Sequence, residues 1–249
     1  MGVFSQDLSS EGTVVKVLGQ SGKISLTRDN QTITIDFDSM KEKDANGDAV
    51  GMTGALSTQH GVNSFATQSF TFSTLSTITY KNVSMDTFTF ESPINTIGKL
   101  KCQIFIAREN GTIVDGSDNF TVVKGDVKWN IEIPEWSFLT NGAFVDLEVE
   151  IKTKDGSEAS GSEKSYSVGN AKLKMASNVM KDNQTVPMPA TYPKIITKGS
   201  KKIFTFRFAK FTNSMIYDPI FNYGDATSGA VTSRKLLVGL LAVVMLFNI

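Results

Sequence analysis

The sequence contains one cysteine, Cys102, and one histidine, His60. That scarcity excludes a Cys/His zinc site, a CxxC redox pair and an intrachain disulfide, each of which needs at least two such residues. Neither sign of charge is in excess, since 25 lysines and arginines stand against 25 aspartates and glutamates. Without a basic surplus, or a basic patch with interleaved aromatics, nothing draws the chain to nucleic acid. A GxSxG elbow and a phosphate-cradling glycine loop are also missing, so His60 in "STQHGVNS" has no nucleophile motif to serve and reads as polar loop surface. No cofactor is expected, and stability must come from packing. Helical periodicity hardly appears.

Period-two alternation is what the chain has instead. "TITIDF" places Ile33, Ile35 and Phe37 on one face, "SFTFS" Phe70 and Phe72, and "DTFTFES" Phe88 and Phe90. The pattern continues in "KLKCQIFIARE" (Cys102, Ile104, Ile106), "DVKWNIEI" (Val127, Trp129, Ile131, Ile133), "FVDLEVEIK" (Val145, Leu147, Val149, Ile151) and "IFTFRF" (Phe204, Phe206, Phe208). Cys102 is thereby placed as a small buried hydrophobe. Turn formers such as "RDNQ", "DANGD", "ENG" and "KDNQ" separate the runs. About a dozen short strands so connected predict an all-β fold, an antiparallel β-sandwich.

The 249 residues accommodate one large sandwich or two Ig-like modules of about 100 residues each. The strand pattern runs through residues 98–153 without a linker, which favours a single domain over 12–220 behind a disordered 1–11. Two long connections interrupt it, residues 39–64 and the proline-bearing stretch 185–195. Such loops often bind or cover.

Residues 236–249, "LLVGLLAVVMLFNI", form a run of fourteen nearly unbroken apolar residues. As a helix they would reach about 21 Å, short of the roughly 30 Å hydrocarbon core. They fit the tail of a glycosylphosphatidylinositol anchor signal, with residues 221–235 supplying a linker and Gly224, Asp225 and Ser228 as candidate attachment residues. A short apolar C-terminal helix projecting from the sandwich is the corresponding structural expectation. "MGVFSQDLSSEG" has neither the basic start nor the apolar stretch of a secretory signal, so the cell-surface reading supposes a signal peptide missing from this chain. The alternative is a tail-anchored adaptor on the cytosolic face of an intracellular membrane. Five N-x-S/T sequons, at Asn30, Asn82, Asn110, Asn119 and Asn183, are candidate glycosylation sites.

Two constellations suggest chemistry. "WNIEIPEW" brackets Glu132 and Glu135 with Trp129 and Trp136, a paired-carboxylate pattern used by glycosidases. Alternation turns Trp129 into the core and Glu132 outward, however, leaving Trp136 as an exposed candidate for glycan contact. "DANGD" spaces Asp44, Asn46 and Asp48 like a calcium loop, but Ala49 and Ala55 stand where glycine and the bidentate glutamate are required, so it reads as a turn. Asp36 and Asp38 are further acids near a loop, and no metal ligand is singled out. The expected protein is a non-catalytic adhesion-type or matrix-binding sandwich. It is tethered to the outer leaflet of the plasma membrane by its lipid anchor and engages a glycan or a matrix protein.

Overall fold

The computed structural model describes residues 5–115, 118–156, 158–162, 164–189, 191–198 and 201–223. The expected anchor residues Gly224, Asp225 and Ser228, and the expected C-terminal helix, lie outside them. Alternation over the first half produces β1 (Ser5–Ser10), β2 (Thr13–Leu18), β3 (Ile24–Arg28), β4 (Gln31–Lys43), the short β5 (Gly61–Val62) and β6 (Thr71–Phe72), β7 (Ser76–Tyr80), β8 (Val83–Ile94), β9 (Gly98–Ala107), β10 (Gly111–Asp115) and β11 (Asp118–Val122). The second half adds β12 (Val127–Ile133), β13 (Phe144–Thr153), β14 (Ser160–Ser162), β15 (Ser165–Val168), β16 (Ala171–Lys174), β17 (Asn178–Lys181), β18 (Gln184–Pro187), β19 (Lys194–Lys198), β20 (Lys201–Ala209), β21 (Met215–Tyr217) and β22 (Ile220–Asn222). The chain is thus nearly all β, in more and shorter strands than the sequence pattern suggested. Residues 5–10, expected to be disordered, form β1 because Leu8 turns inward and the whole segment pairs with β2.

All pairing is antiparallel. The first sheet runs β1-β2-β3-β4-β13-β20-β19, with β5 added on β4. In the second, β12 lies between β9 on one side and β21 with β22 on the other, and the sheet extends through β9 to β8, β7 and β6. Its further strands run from β22 through β16 and β15 to β14, and from β21 through β17 to β18. A separate hairpin, β10–β11, buries Ile113, Phe120 and Val122.

The inner faces meet in an aromatic seam. Across the first sheet Val149 pairs with Phe37 and Phe204, and Leu147 with Met40 and Phe206; across the second, Ile104 pairs with Phe88 and Trp129. Between the sheets, Phe37 stands edge-on to Trp129 at 5.8 Å and 6.4 Å from Phe90, while Phe206 meets Tyr217 at 5.3 Å and Phe204 meets Tyr166 at 4.9 Å. Each tilted aromatic pair adds about 0.5–1.5 kcal/mol to what area burial supplies. Cys102 is fully enclosed, and desolvation holds its thiol far above the usual range, so it packs as a hydrophobe.

The pairing of β4 with β13 contains one irregularity. Between Val149–Phe37 and Glu148–Ser39 the register shifts by one, leaving Asp38 as the extra residue of a β-bulge. Inward positions therefore run Ile33, Ile35, Phe37 and then Met40 and Glu42. β4 continues to Lys43, so the connection expected from residue 39 starts later. Phe206→Ala is expected to lower the unfolding free energy by about 3–5 kcal/mol, read by urea denaturation, with β-type circular dichroism retained in the folded baseline.

Candidate functional site

The bulge brings a carboxylate into the core at one end of the molecule. Glu42 is wholly buried. Its oxygens accept from Trp136 Nε1 at 3.2 Å, from the Leu139 N–H at 3.0 and 3.1 Å, from the Thr140 N–H at 3.1 Å and from Thr140 Oγ1 at 3.3 Å. His60 Nε2 comes within 3.1 Å of Oε2 without the alignment of a hydrogen bond, and its ring stands edge-on to Trp136 at 5.4 Å. Glu42 thus fastens two connections to the end of β4: the segment between β12 and β13, and the loop after β4. That loop is held by His60 N–H donating to the Gly51 carbonyl at 2.8 Å and by β5. At Gly61 a Cβ would lie 2.5 Å from the Met40 carbonyl oxygen, so only glycine allows this approach.

Two expectations are corrected by this arrangement. Trp136 is 2% exposed, so it packs in the core as a donor to Glu42 and is no surface platform for a glycan. His60, expected as loop surface, is buried against Trp136. Glu42 was missed because strict alternation from Phe37 turns residue 42 outward. The only signal for a bulge in "DFDSMKEK" is the pair of polar residues, Asp38 and Ser39, side by side.

The other predicted acids take no part in the Glu42 network. Glu132 faces outward on β12 and pairs with Lys101 at 3.1 Å, and β12 ends at Ile133 before Pro134. Glu135 is exposed beyond that proline. Trp136, the ring expected to stack on a sugar beside them, is buried. In "DANGD", Asp44 Oδ1 accepts from the Asn46 and Asp48 N–H groups, each at 2.9 Å, which is a turn cap.

The outer face of the first sheet carries an array of paired charges. Asp36, Asp38, Asp146, Glu148 and Glu150 lie on β4 and β13, and each has a cationic partner. Lys23 meets Asp36 at 3.1 Å, Lys198 meets Asp38 at 2.5 Å and Glu148 at 3.2 Å, Lys152 meets Glu150 at 3.0 Å, and Arg207 grips Asp146 with two bonds of 2.8 Å. Arg207 also lies 3.3 Å from the Phe144 ring centre and 4.8 Å from that of Tyr192, whose phenol burial pushes up. The Asp38 hydrogen bond raises Lys198, while desolvation lowers Lys41 in the same array. A cation could occupy this face only by displacing those partners. Among the described residues no group of three or more His, Cys, Asp or Glu side chains is placed to hold a metal.

At the opposite end from Glu42, Asp126 is buried and accepts from Val123 N–H at 2.9 Å, Tyr223 N–H at 2.8 Å and Asn222 Nδ2 at 2.8 Å. Desolvation outweighs these bonds and pushes its carboxyl from 3.8 up to about 6.

The chain matches the family described as acidic skeletal organic matrix protein over residues 4–165 and again over 148–248. It belongs to that family. A skeletal organic matrix is an extracellular setting, and the protein is extracellular on that ground. The word acidic in the description does not fit this member's composition, with 25 acidic against 25 basic residues, nor its paired outer face. No solved structure matches the chain.

Glu42→Ala should leave the Leu139, Thr140 and Trp136 donors without acceptors and cost about 3–5 kcal/mol by chemical denaturation; Glu135→Ala should stay within about 0.5 kcal/mol of wild type. The Asp126 carboxyl binds its proton more tightly folded than unfolded between 3.8 and about 6. Its contribution is therefore fully present below the lower value and is lost as pH rises through the higher one. Relative to Asp126→Asn, wild type should lose about 2 kcal/mol of unfolding free energy from pH 4 to pH 7, measured by urea melts of both proteins across that range.

Proposed function

We propose that this protein is a non-catalytic binding component of an extracellular skeletal matrix, tethered to the cell surface by a lipid anchor. The observation that carries the reading is family membership across nearly the whole chain. The geometry supports it in two ways. Glu132 is engaged by Lys101 on the outward face of β12, and Glu135 is exposed beyond the strand-ending Pro134. The outer face of the first sheet offers an extended array of matched positive and negative groups, suited to adhesion against a polar or ionic matrix surface rather than to enclosing a small molecule.

The tether rests on the sequence pattern of residues 221–249, with Gly224, Asp225 and Ser228 as attachment candidates. In this reading the apolar segment 236–249 is removed when the lipid is attached, and the sandwich does not need it. Expressed behind a functional signal peptide, the full chain should appear on the cell surface, and phosphatidylinositol-specific phospholipase C should release it. Leu241→Arg should abolish anchoring, because a charge at the centre of such a segment costs roughly 2.5–3.5 kcal/mol on insertion. Surface protein resistant to the lipase would remove the tether from this reading.

A further inference from the structure

Resting on the extracellular location, we propose that Asn30, Asn82 and Asn110 carry N-linked oligosaccharides and together make one end of the sandwich a glycosylated cap. All five sequon asparagines are exposed, but they are not scattered evenly. Asn30 and Asn82 occupy the second positions of two hairpin tips, with φ of 64° and 68° after Asp29 and Lys81 at 50° and 46°. Asn110 sits between β9 and β10.

Hydrogen bonds place these three segments side by side. Arg28, two residues before Asn30, donates from Nη1 to the Lys124 carbonyl at 3.0 Å, and Lys124 N–H donates to Asn110 Oδ1 at 3.0 Å. Ser84, two residues after Asn82, donates its N–H to Glu109 Oε1 at 2.8 Å and accepts from the Arg108 N–H at 2.9 Å. Asn183 belongs elsewhere, on the β17–β18 tip beside Met215, which pairs with Ile133 at the Glu42 end of β12. Asn119 lies within β11.

The left-handed turn geometry explains why asparagine is favoured at residues 30 and 82. It does not require the hydroxyl two residues later at Ser84 and Thr112, which completes each acceptor sequence, while the third, at Thr32, also meets Thr27 Oγ1 at 2.9 Å across the hairpin. Asn110 is outside the left-handed region and still has both features. Its Oδ1 caps Lys124 while the modification is made at Nδ2, so the glycan and the cap coexist.

The step is a transfer from a lipid-pyrophosphate oligosaccharide donor. The anomeric carbon forms a bond to Nδ2, its bond to the pyrophosphate oxygen breaks with the electron pair leaving on the lipid pyrophosphate, and Nδ2 gives up one proton. Three such chains would crowd the tips of β3–β4 and β7–β8 and leave the outer face of the first sheet and the Glu42 end open for contact.

The test is expression of the full chain behind a functional signal peptide in a eukaryotic secretory host, followed by peptide N-glycosidase treatment and mass mapping. A heterologous signal peptide guarantees exposure to the transferase, so the result is independent of whether the lipid tether exists. The expected result is conversion of asparagine to aspartate at 30, 82 and 110. Thr32→Val, Ser84→Ala and Thr112→Val, each of which keeps its asparagine, should each remove one step of the gel shift. If a variant fails to be secreted, the wild-type map still decides. A secreted, folded wild-type chain in which any of the three remains an unmodified asparagine overturns the proposal.

Discussion

The extra residue at Asp38 lets a single strand serve both the core and the end of the sandwich. A strand with perfect alternation can turn Phe37 inward or Glu42 inward, but not both, because five residues separate them. The register shift opposite Glu148 and Val149 allows both. Phe37 then stands against Trp129 and Phe90 in the seam between the sheets, and Glu42 gathers the N–H groups of Trp136, Leu139 and Thr140 at the end. The seam lies within one continuous cluster of buried apolar side chains. The carboxylate fixes the two connections that close that end, where loop backbone would otherwise be buried without acceptors.

Much of the architecture was legible because period two is a strong signal wherever one face is buried. Ile35, Phe88, Phe90, Trp129, Leu147 and Phe206 are core residues as the alternation implies, and Glu132 faces solvent. Where the pattern misled, a local break in period or a second layer was responsible. Phe105, on the outer face of β9, is buried as well, with Tyr80 at 4.8 Å and Lys128 and Thr87 beside it in the register. Nothing in "QIFIARE" announces that covering. Trp136 looked exposed because it follows a strand-ending proline, yet its indole donates to Glu42, ninety-four residues earlier. Long-range pairing of that kind leaves no trace in a local window.

The candidate site was less legible than the fold. The paired glutamates of "WNIEIPEW" are chemically suggestive as text, yet Glu132 is ion-paired with Lys101 on the sheet, whereas the charge array of the outer sheet face draws on β4, β13, β19, β20 and Lys23 just before β3, which no single stretch reveals. Its five carboxylates are matched by lysines and an arginine within 3.2 Å, so electrostatic neutrality holds locally as well as over the chain. The more exposed Lys23–Asp36 and Lys198–Asp38 pairs add little to stability, about 0–1 kcal/mol each, whereas the carboxylates of Asp146 and Glu150 are buried beside their partners. Together these pairs give the sheet an ordered surface of alternating charge sign. The chain is a member of a skeletal organic matrix family whose acidic label its balanced composition does not share.

Work as an extracellular matrix component is tested most simply where the matrix is made. The measurement is proteomic analysis of the source organism's skeleton, cleaned of tissue and then demineralised, beside cytosolic and membrane fractions of the overlying cells. Peptides from the sandwich, such as those spanning β8–β9 and β12–β13, are expected in the organic matrix released from the mineral and in the cell-surface fraction. Recovery of those peptides from the cytosol alone, with none in matrix or surface fractions, would contradict a matrix role.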